Sequence, residues 1–377
     1  MRTTSRDGRH EAGKLRIGTA VAAIGLSAAL LAGVATVATP AGAGDHVAPN
    51  NHYTVTNLVS DQPGVAQITD PSLVNAWGLA AAPTSPIWVA NNHTDSSTVY
   101  PGAVHGSPIV GPVLTVPVDG GAPTGLVFNP TSGFMVPSAG APATFIFDSE
   151  SGNITAWSAG DAGADAVVMA HNDDANYKGL ALSESDGSPY LYAANFETNA
   201  VDVYDSSFTR QDWAGAFVDP DMPMHYSPFG IAAIGTEIYV TYALHVPGAE
   251  DDTHGAHRGF IDVYGTDGRL HRRLVSRGSL NSPWGLAVAP RRFGLFAGAL
   301  LVGNFGDGRI HAYNRFNGRY LGGLRDAAGA SVRIDGLWGL QFGNGVTGDR
   351  NDLLFSAGPD DENHGLFGAI SAIHPSP

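Results

Sequence analysis

A glycine followed by leucine or isoleucine recurs six times along this 377-residue chain, at nearly equal intervals. Successive glycines of this set are 47, 54, 51, 55 and 54 residues apart. A period of about 50 residues is typical of chains that build one structural unit several times. The sequence therefore predicts six equivalent units in one domain. The six glycines are Gly78, Gly125, Gly179, Gly230, Gly285 and Gly339.

Short apolar runs and polar turns follow each of these glycines. In the third unit, for example, Leu191–Ala194 precedes a turn and then Ala200–Tyr204, where apolar and polar residues alternate. Alternation with a period of two is typical of a β-strand, and Asp307-Gly308 between two such runs indicates a tight hairpin. Units of three or four short strands that repeat six times predict an all-β fold, a six-bladed β-propeller.

The segment around each glycine is predicted to be the innermost strand of its blade. Large side chains such as Trp284 and Leu286 would then face the small side chains of a neighbouring blade. The last unit ends near Ile370 without an outer strand of its own. We therefore expect an N-terminal strand, His52 to Ser60, to complete the last blade and close the ring, because closure removes an open sheet edge.

The N-terminal 43 residues have the pattern of a signal peptide. A basic head of five Lys and Arg residues precedes an uncharged stretch that ends in Ala41-Gly42-Ala43. An uncleaved membrane anchor over Ile17 to Val37 is the alternative. The predicted organisation is a signal peptide over residues 1–43 and a propeller over residues 44–377, with a secreted, extracytoplasmic location.

Charge and composition exclude several kinds of partner and cofactor. The whole chain has a formal net charge of −15, and residues 44–377 hold 15 basic and 33 acidic residues. So acidic a chain is not expected to bind nucleic acid, nor an anionic membrane after signal cleavage. It contains no cysteine, which excludes disulfides, iron–sulfur clusters and thiolate zinc sites.

Six residues are candidates for a binding site at the mouth of the channel. A lysine before Gly179 could bind an anion, serve as a base if it is desolvated, or form a salt bridge that caps the channel. Three tryptophans in the equivalent position could form an aromatic shelf or simply pack in the core. Two asparagines that end their strands could face the mouth, or fix a turn with their side chains. These residues are Lys178, Trp77, Trp284, Trp338, Asn195 and Asn304.

A metal site is the other chemistry that the sequence allows. Three histidines follow the second strands of their units, and histidines from different blades could converge on zinc. A carboxylate-rich loop surrounds the last of them. None of the six residues before the glycines is a carboxylate or an amide, which disfavours a calcium site built from them. The weak candidate ligands are His93, His245, His364, Asp360 and Glu362.

Six stretches resemble a family of uncharacterised exported bacterial proteins. The resemblance implies a propeller related to the NHL-repeat type and leaves the function open. The stretches are LVSDQPGVAQITDPSLVNAWGLA (58–80), YKGLAL (177–182), NSPWGLAVAP (281–290), GALLVGNFGDGRIHAYN (298–314), IDGLWGLQFGNG (334–345) and DENHGLFGAI (361–370).

Taken together, these patterns favour an exported binding module that uses one face of the disc, with a cell-wall glycan or another protein as its partner. The alternative is a metal-dependent lyase or hydrolase that acts at the channel mouth. No residue is identified as catalytic. The sequence requires no cofactor, and a divalent metal is compatible with it.

Overall fold

The computed structural model of the chain describes residues 51–161 and 163–373. Strands make up nearly all of the regular structure in these residues, beside three single-turn 3₁₀ helices at Asn92–Thr94, Ala159–Asp161 and Gly294–Phe296. None of the helices in this part of the chain is long and apolar enough to cross a membrane. The signal peptide of residues 1–43 lies outside the described residues and stays a prediction.

The strands form six main sheets arranged as a six-bladed β-propeller, so the predicted all-β, six-bladed architecture is confirmed. Two strands, β1 (His52–Ser60) and β2 (Ile68–Thr69), precede the first blade. Blade 1 contains β3 (Ala76–Ala80), β4 (Ile87–Asn91), β5 (Ser96–Tyr100) and β6 (Leu114–Pro117). Blade 2 contains β7 (Pro123–Phe128), the short pair β8 (Met135–Val136) and β9 (Ala141–Pro142), and then β10 (Phe145–Ser149), β11 (Asn153–Trp157) and β12 (Val167–His171).

The remaining blades follow the same order. Blade 3 contains β13 (Tyr177–Ser185), β14 (Ser188–Asn195), β15 (Ala200–Asp205) and β16 (Arg210–Gln211). Blade 4 contains β17 (Tyr226–Ile234), β18 (Glu237–Leu244), β19 (Phe260–Gly265) and β20 (Leu270–Ser276). Blade 5 contains β21 (Pro283–Val288), β22 (Leu300–Asn304), β23 (Ile310–Tyr313) and β24 (Tyr320–Gly323), followed by the short β25 (Arg325–Asp326). Blade 6 contains β26 (Leu337–Phe342), β27 (Leu353–Ala357) and β28 (Leu366–Ala372).

The six glycine-containing strands are the inner strands of the propeller. Each of them contacts the inner strand of the next blade, and β26 of blade 6 contacts β3 of blade 1, so these strands form a ring. Every inner strand also carries a β-bulge at its repeat glycine. In blade 5, for instance, Pro283 pairs with Asn304 but Leu286 pairs with Val302, which leaves one extra residue on the inner strand. The other five blades show the same shift.

The inner strands pack differently from the expected alternation of large and small side chains. The repeat glycines face the backbone of the next inner strand: a Cβ atom on Gly285 would lie 2.4 Å from the carbonyl oxygen of Trp338. The aromatic side chains before the glycines instead meet one another at the centre of the ring. The expectation that Trp284 would pack between neighbouring blades was wrong, because the bulge adds a residue and so changes the face to which the pre-glycine side chain points.

Strand β1 lies in the sheet of blade 6. It pairs antiparallel with β28, from Tyr53 opposite Ala372 to Ser60 opposite Leu366. Three of its apolar side chains, those of Tyr53, Leu58 and Val59, are buried. That the ring depends on this strand for its closure remains a prediction, which deletion of the strand would test.

Candidate functional site

Aromatic side chains pack together at the centre of the propeller. Trp77, Phe229 and Trp338 are each 1% exposed, and Trp284 and Phe305 pack against them. The rings of Trp77 and Trp338 are stacked with centroids 3.4 Å apart, and Phe305 stacks on the other side of Trp338 at 4.0 Å. The three candidate tryptophans are therefore brought together, but as a packed hub, and Trp77 and Trp338 offer no open shelf to a ligand.

Lys178 lies beside this hub and is completely buried. Its ammonium group forms ion pairs with Glu150 and, at 3.0 Å, with Asp251. It also lies 5.5 Å from the ring centroid of Trp77 and 5.9 Å from that of Phe196. Burial alone would lower the pKa of Lys178, but the two carboxylates outweigh burial and hold this pKa above its ordinary value. Lys178 therefore stays charged and acts as an internal counterion rather than as a base.

A hydrogen-bonded chain of asparagines joins the hub to the same carboxylates. The indole N–H of Trp338 donates to Asn75 Oδ1 at 3.1 Å, and Asn75 Nδ2 donates to Glu362 Oε2 at 2.6 Å. Asn92 Nδ2 donates to Glu150 Oε2 at 2.9 Å. Sequence reasoning missed Asn75, Asn92 and Glu150, and it did not identify Asp251 as a partner of Lys178. Asn75 could have been noticed from its position, two residues before Trp77. It adopts a left-handed conformation (φ 49°), which asparagine tolerates better than most residues do.

Glu362 reaches the site through an unusual turn. Asp360, Asp361 and Glu362 all have positive φ angles, of 58°, 49° and 65°. This conformation costs a non-glycine residue roughly 1–2 kcal/mol, so three in succession are a strained segment held by its surroundings. Burial raises the pKa of Glu362 to about 7; the hydrogen bond from Asn75 lowers it, while the nearby Asp251 and Glu150 raise it further.

Glu150, Asp251 and Glu362 line one cavity of about 970 Å³, which we call the acidic mouth. Its walls are loops of five blades, with blade 5 the exception, and they include eight carboxylates. No Lys or Arg is among the described residues that line it. Such a cavity attracts cations and repels anions. The acidic and histidine side chains that line it are those of His93, Glu150, Asp173, Asp174, Glu197, Glu250, Asp251, Asp361 and Glu362.

Neither of the two candidate asparagines lines the acidic mouth. Asn195 accepts a hydrogen bond from the N–H of Thr198 at 3.3 Å and donates to Asp202 at 3.1 Å, so it fixes the turn after its strand. Asn304 donates to the carbonyl of Ser279 at 2.8 Å and joins blade 5 to the segment that precedes it. Both agree with the structural alternative raised from the sequence.

The three candidate histidines have separate partners. His93 lines the acidic mouth. The ring of His245 packs on Phe196 with centroids 4.4 Å apart, and His364 Nδ1 lies 2.7 Å from Asp61 Oδ2. Asp360 lies 3.9 Å from the other ring nitrogen of His364. Within residues 51–161 and 163–373, no three His, Asp or Glu side chains form a group that could hold a metal ion.

The fold and the hub define a six-bladed propeller with one strongly acidic opening. No protein family model matches the chain. It is 33% identical to Uncharacterized protein R648 of Acanthamoeba polyphaga mimivirus, over 84% of this chain and 80% of the viral protein. It is 31% identical to Uncharacterized protein L690 of the same virus, over 84% of this chain and 85% of that protein. The chain belongs to the family of these two uncharacterised viral proteins.

Among solved structures, the chain is similar to selenomethionine-substituted virginiamycin B lyase from Staphylococcus aureus. The TM-score is 0.50 at 11% sequence identity, over 85% of this chain and all of the lyase. At this identity the likeness shows the propeller fold alone. The propeller part of the resemblance seen in the sequence is therefore confirmed. The two relatives are viral proteins rather than exported bacterial ones, and their names carry no activity.

Proposed function

We propose that this propeller is a binding module that receives a positively charged segment of a partner protein in the acidic mouth. The observation that carries the proposal is the convergence of eight carboxylates from the loops of four blades, blades 2, 3, 4 and 6, on one cavity. Its volume, about 970 Å³, is large enough for several side chains of a peptide. A lysine or arginine side chain that enters would find acceptors on several sides.

The side chains at the floor of the acidic mouth are held in place, which favours a binding site over a loosely solvated rim. Lys178 holds Glu150 and Asp251 in place, and the Asn75 side chain holds Glu362. Acceptors that are already ordered lose little conformational freedom when a ligand binds, which favours affinity. A neutral cell-wall glycan, the other partner suggested by the sequence, makes no use of this concentration of charge.

A lysine-rich peptide should bind the wild-type protein, and the double variant D174N/E197Q should weaken this binding about tenfold. Asp174 and Glu197 are exposed on the cavity wall and take no part in the buried network, so the fold should persist. Isothermal titration calorimetry with a tetralysine peptide measures the effect.

The matched control is E184Q/D186N, which removes two exposed carboxylates from a hairpin outside the cavity. It should bind the peptide as the wild type does. Equal weakening of peptide binding in both double variants would show only a diffuse effect of charge. Binding of a neutral chitin oligomer in place of the peptide would favour a glycan as the partner. Either result contradicts the proposal.

Peptide binding should also tighten about fivefold between pH 6 and pH 8. Glu362, with its pKa raised to about 7, is protonated and neutral at the lower pH and becomes a negative charge at the higher one. The variant E362Q should lose this dependence. H93N is the control, because His93 is the histidine that lines the same cavity. A pH dependence that survives in E362Q and vanishes in H93N would assign the effect to His93.

The same carboxyl group is the one observation that favours the second candidate function, a lyase or hydrolase acting at the mouth. A group whose pKa lies near neutrality can donate and accept a proton during a reaction. Elemental analysis of the purified full chain separates the candidates: stoichiometric zinc or calcium that is lost in E362A/H364A would favour the metal-dependent enzyme over the binding module.

We further propose that the chain is exported and that residues 1–43 are removed. The basic head, the uncharged stretch and the Ala41-Gly42-Ala43 site support this. N-terminal sequencing of protein secreted by an expressing cell should begin at Gly44; an intact N-terminus in the membrane fraction would favour the anchor.

A further inference from the structure

The positive charges of this acidic protein are concentrated in one part of the chain. Residues 258–333 contain twelve arginines and only four carboxylates, a net charge of +8 in a chain whose total is −15. This segment covers the outer strands of blade 4 and all of blade 5. Arginine is the residue best suited to bind phosphate and sulfate, because its planar group offers several N–H donors.

A groove of about 340 Å³ is lined by this segment together with Ala256 and His257, which directly precede it. One wall is the chain between blades 4 and 5, including Ser279, and the other is the outer part of blade 5. Residues two apart in extended backbone share a face, which places Arg309, directly before β23, on the same side as His311 of β23. Gly323 is paired with His311 on the adjacent strand and leaves the space open. Arg325 follows two residues later and also lines the groove.

His311 supplies a buried donor at the base of this groove. It is only 8% exposed, and its Nδ1 lies 3.3 Å from the Tyr320 hydroxyl. Burial lowers the pKa of His311, so the ring is neutral at pH 7. When the Tyr320 hydroxyl donates to Nδ1, the proton of the neutral ring is on Nε2. Nε2 has no hydrogen-bond partner among the described residues.

One carboxylate, that of Asp307, also lines the groove, and it is paired with neighbouring groups of the chain. It accepts hydrogen bonds from Asn304 at 3.1 Å and from the N–H of Arg309 at 3.3 Å, and its other oxygen lies 3.6 Å from the Arg309 guanidinium. Arg325 uses one N–H for the carbonyl of Gly329 at 2.7 Å. Both guanidinium groups therefore keep donors that face solvent.

We propose that this groove is a second binding site, which takes an oxyanion group, phosphate or sulfate, carried by a small ligand. Arg309 and Arg325 supply the positive charge, and His311 supplies a neutral donor below them. The site has the opposite charge preference to the acidic mouth and does not depend on the function proposed for it.

The test is calorimetry of the full chain with inorganic pyrophosphate at low salt. Wild-type protein should bind it saturably, and R309Q/R325Q should weaken binding about tenfold or more. R291Q/R292Q, which removes two exposed arginines of the same segment outside the groove, should bind within about twofold of wild type. Thermal melting checks that each variant is folded.

Gly323→Leu provides a test that changes no charge. A Cβ atom on Gly323 would lie 3.3 Å from His311 Nδ1, so a leucine would fill the groove and should abolish pyrophosphate binding. Absence of saturable binding to the wild type, or equal weakening in R291Q/R292Q, would overturn the proposal. So would binding to phosphatidylglycerol vesicles without binding to free pyrophosphate, because the segment would then recognise a membrane surface.

Discussion

Deletion of residues 44–60 should lower the midpoint of thermal unfolding by about 10 °C or more, a larger effect than we expect from any of the charge substitutions. Strand β1 buries Tyr53, Leu58 and Val59, and burial of three such side chains contributes roughly 6 kcal/mol. The deletion would also expose the edge of β28, which pairs with β1 along most of its length. An exposed edge favours aggregation, so the variant should also form oligomers.

The comparison is deletion of the loop 248–256, which connects β18 to β19 and lies at the wall of the acidic mouth. This loop carries Asp251 and Asp252, but Lys178 would keep its other ion pair, with Glu150. We expect deletion of this loop to lower the midpoint of thermal unfolding by less than half as much as deletion of residues 44–60 does. Differential scanning calorimetry and size-exclusion chromatography measure both effects. Equal midpoints for the two deletions would count against closure of the ring by β1.

The six-bladed fold could be predicted because its signals are local and repeated. Each blade carries its own glycine, its own apolar run and its own hairpin, so one weak pattern was seen six times. The orientation of the pre-glycine side chains could not be predicted. It depends on a bulge, and a bulge is set by pairing with the second strand of the blade rather than by the residues of the inner strand alone.

The site was predicted only where one residue type stood out within the repeat. Lys178 was found because it is the single charged residue among the six pre-glycine positions. The pairing of Lys178 with Glu150 and Asp251 was not predicted, because these partners lie in the loops of other blades, 28 and 73 residues away. The ring topology brings these side chains together, and no regular spacing in the sequence indicates their contact.

The net charge of the whole chain also predicted little about the charge of individual parts of the surface. A value of −15 argues against anionic partners for the molecule as a whole, yet residues 258–333 carry +8. Screening in salt solution limits the reach of a charge to about 10 Å. Two sites of one propeller can therefore prefer ligands of opposite charge, and the acidic mouth and the groove lined by Arg309 and Arg325 are expected to act independently.

The six repeat glycines have the same sequence context, but they should differ sharply in their tolerance of alanine. At Gly285 a Cβ atom would lie 2.4 Å from the carbonyl oxygen of Trp338, a distance that requires the backbone of the next inner strand to move. At Gly179 the nearest atom would lie 3.4 Å away, an ordinary contact. Neither glycine has a positive φ angle, so alanine is not excluded by backbone conformation at either position.

We therefore expect Gly285→Ala to destabilise the protein by about 3 kcal/mol or more, because overpacking against backbone cannot be relieved by a change of rotamer. Gly179→Ala should be neutral or stabilising by about 0.5 kcal/mol, since alanine reduces the freedom of the unfolded chain. Chemical denaturation of the two variants measures this difference.

The displaced group in Gly285→Ala belongs to Trp338, which stacks on Trp77 and donates to Asn75 at the floor of the acidic mouth. The near-ultraviolet circular dichroism of the tryptophans and the affinity for a tetralysine peptide should therefore change in Gly285→Ala and stay constant in Gly179→Ala. If the two variants unfolded at the same denaturant concentration, contact between neighbouring inner strands through their glycines would not be what holds the hub together.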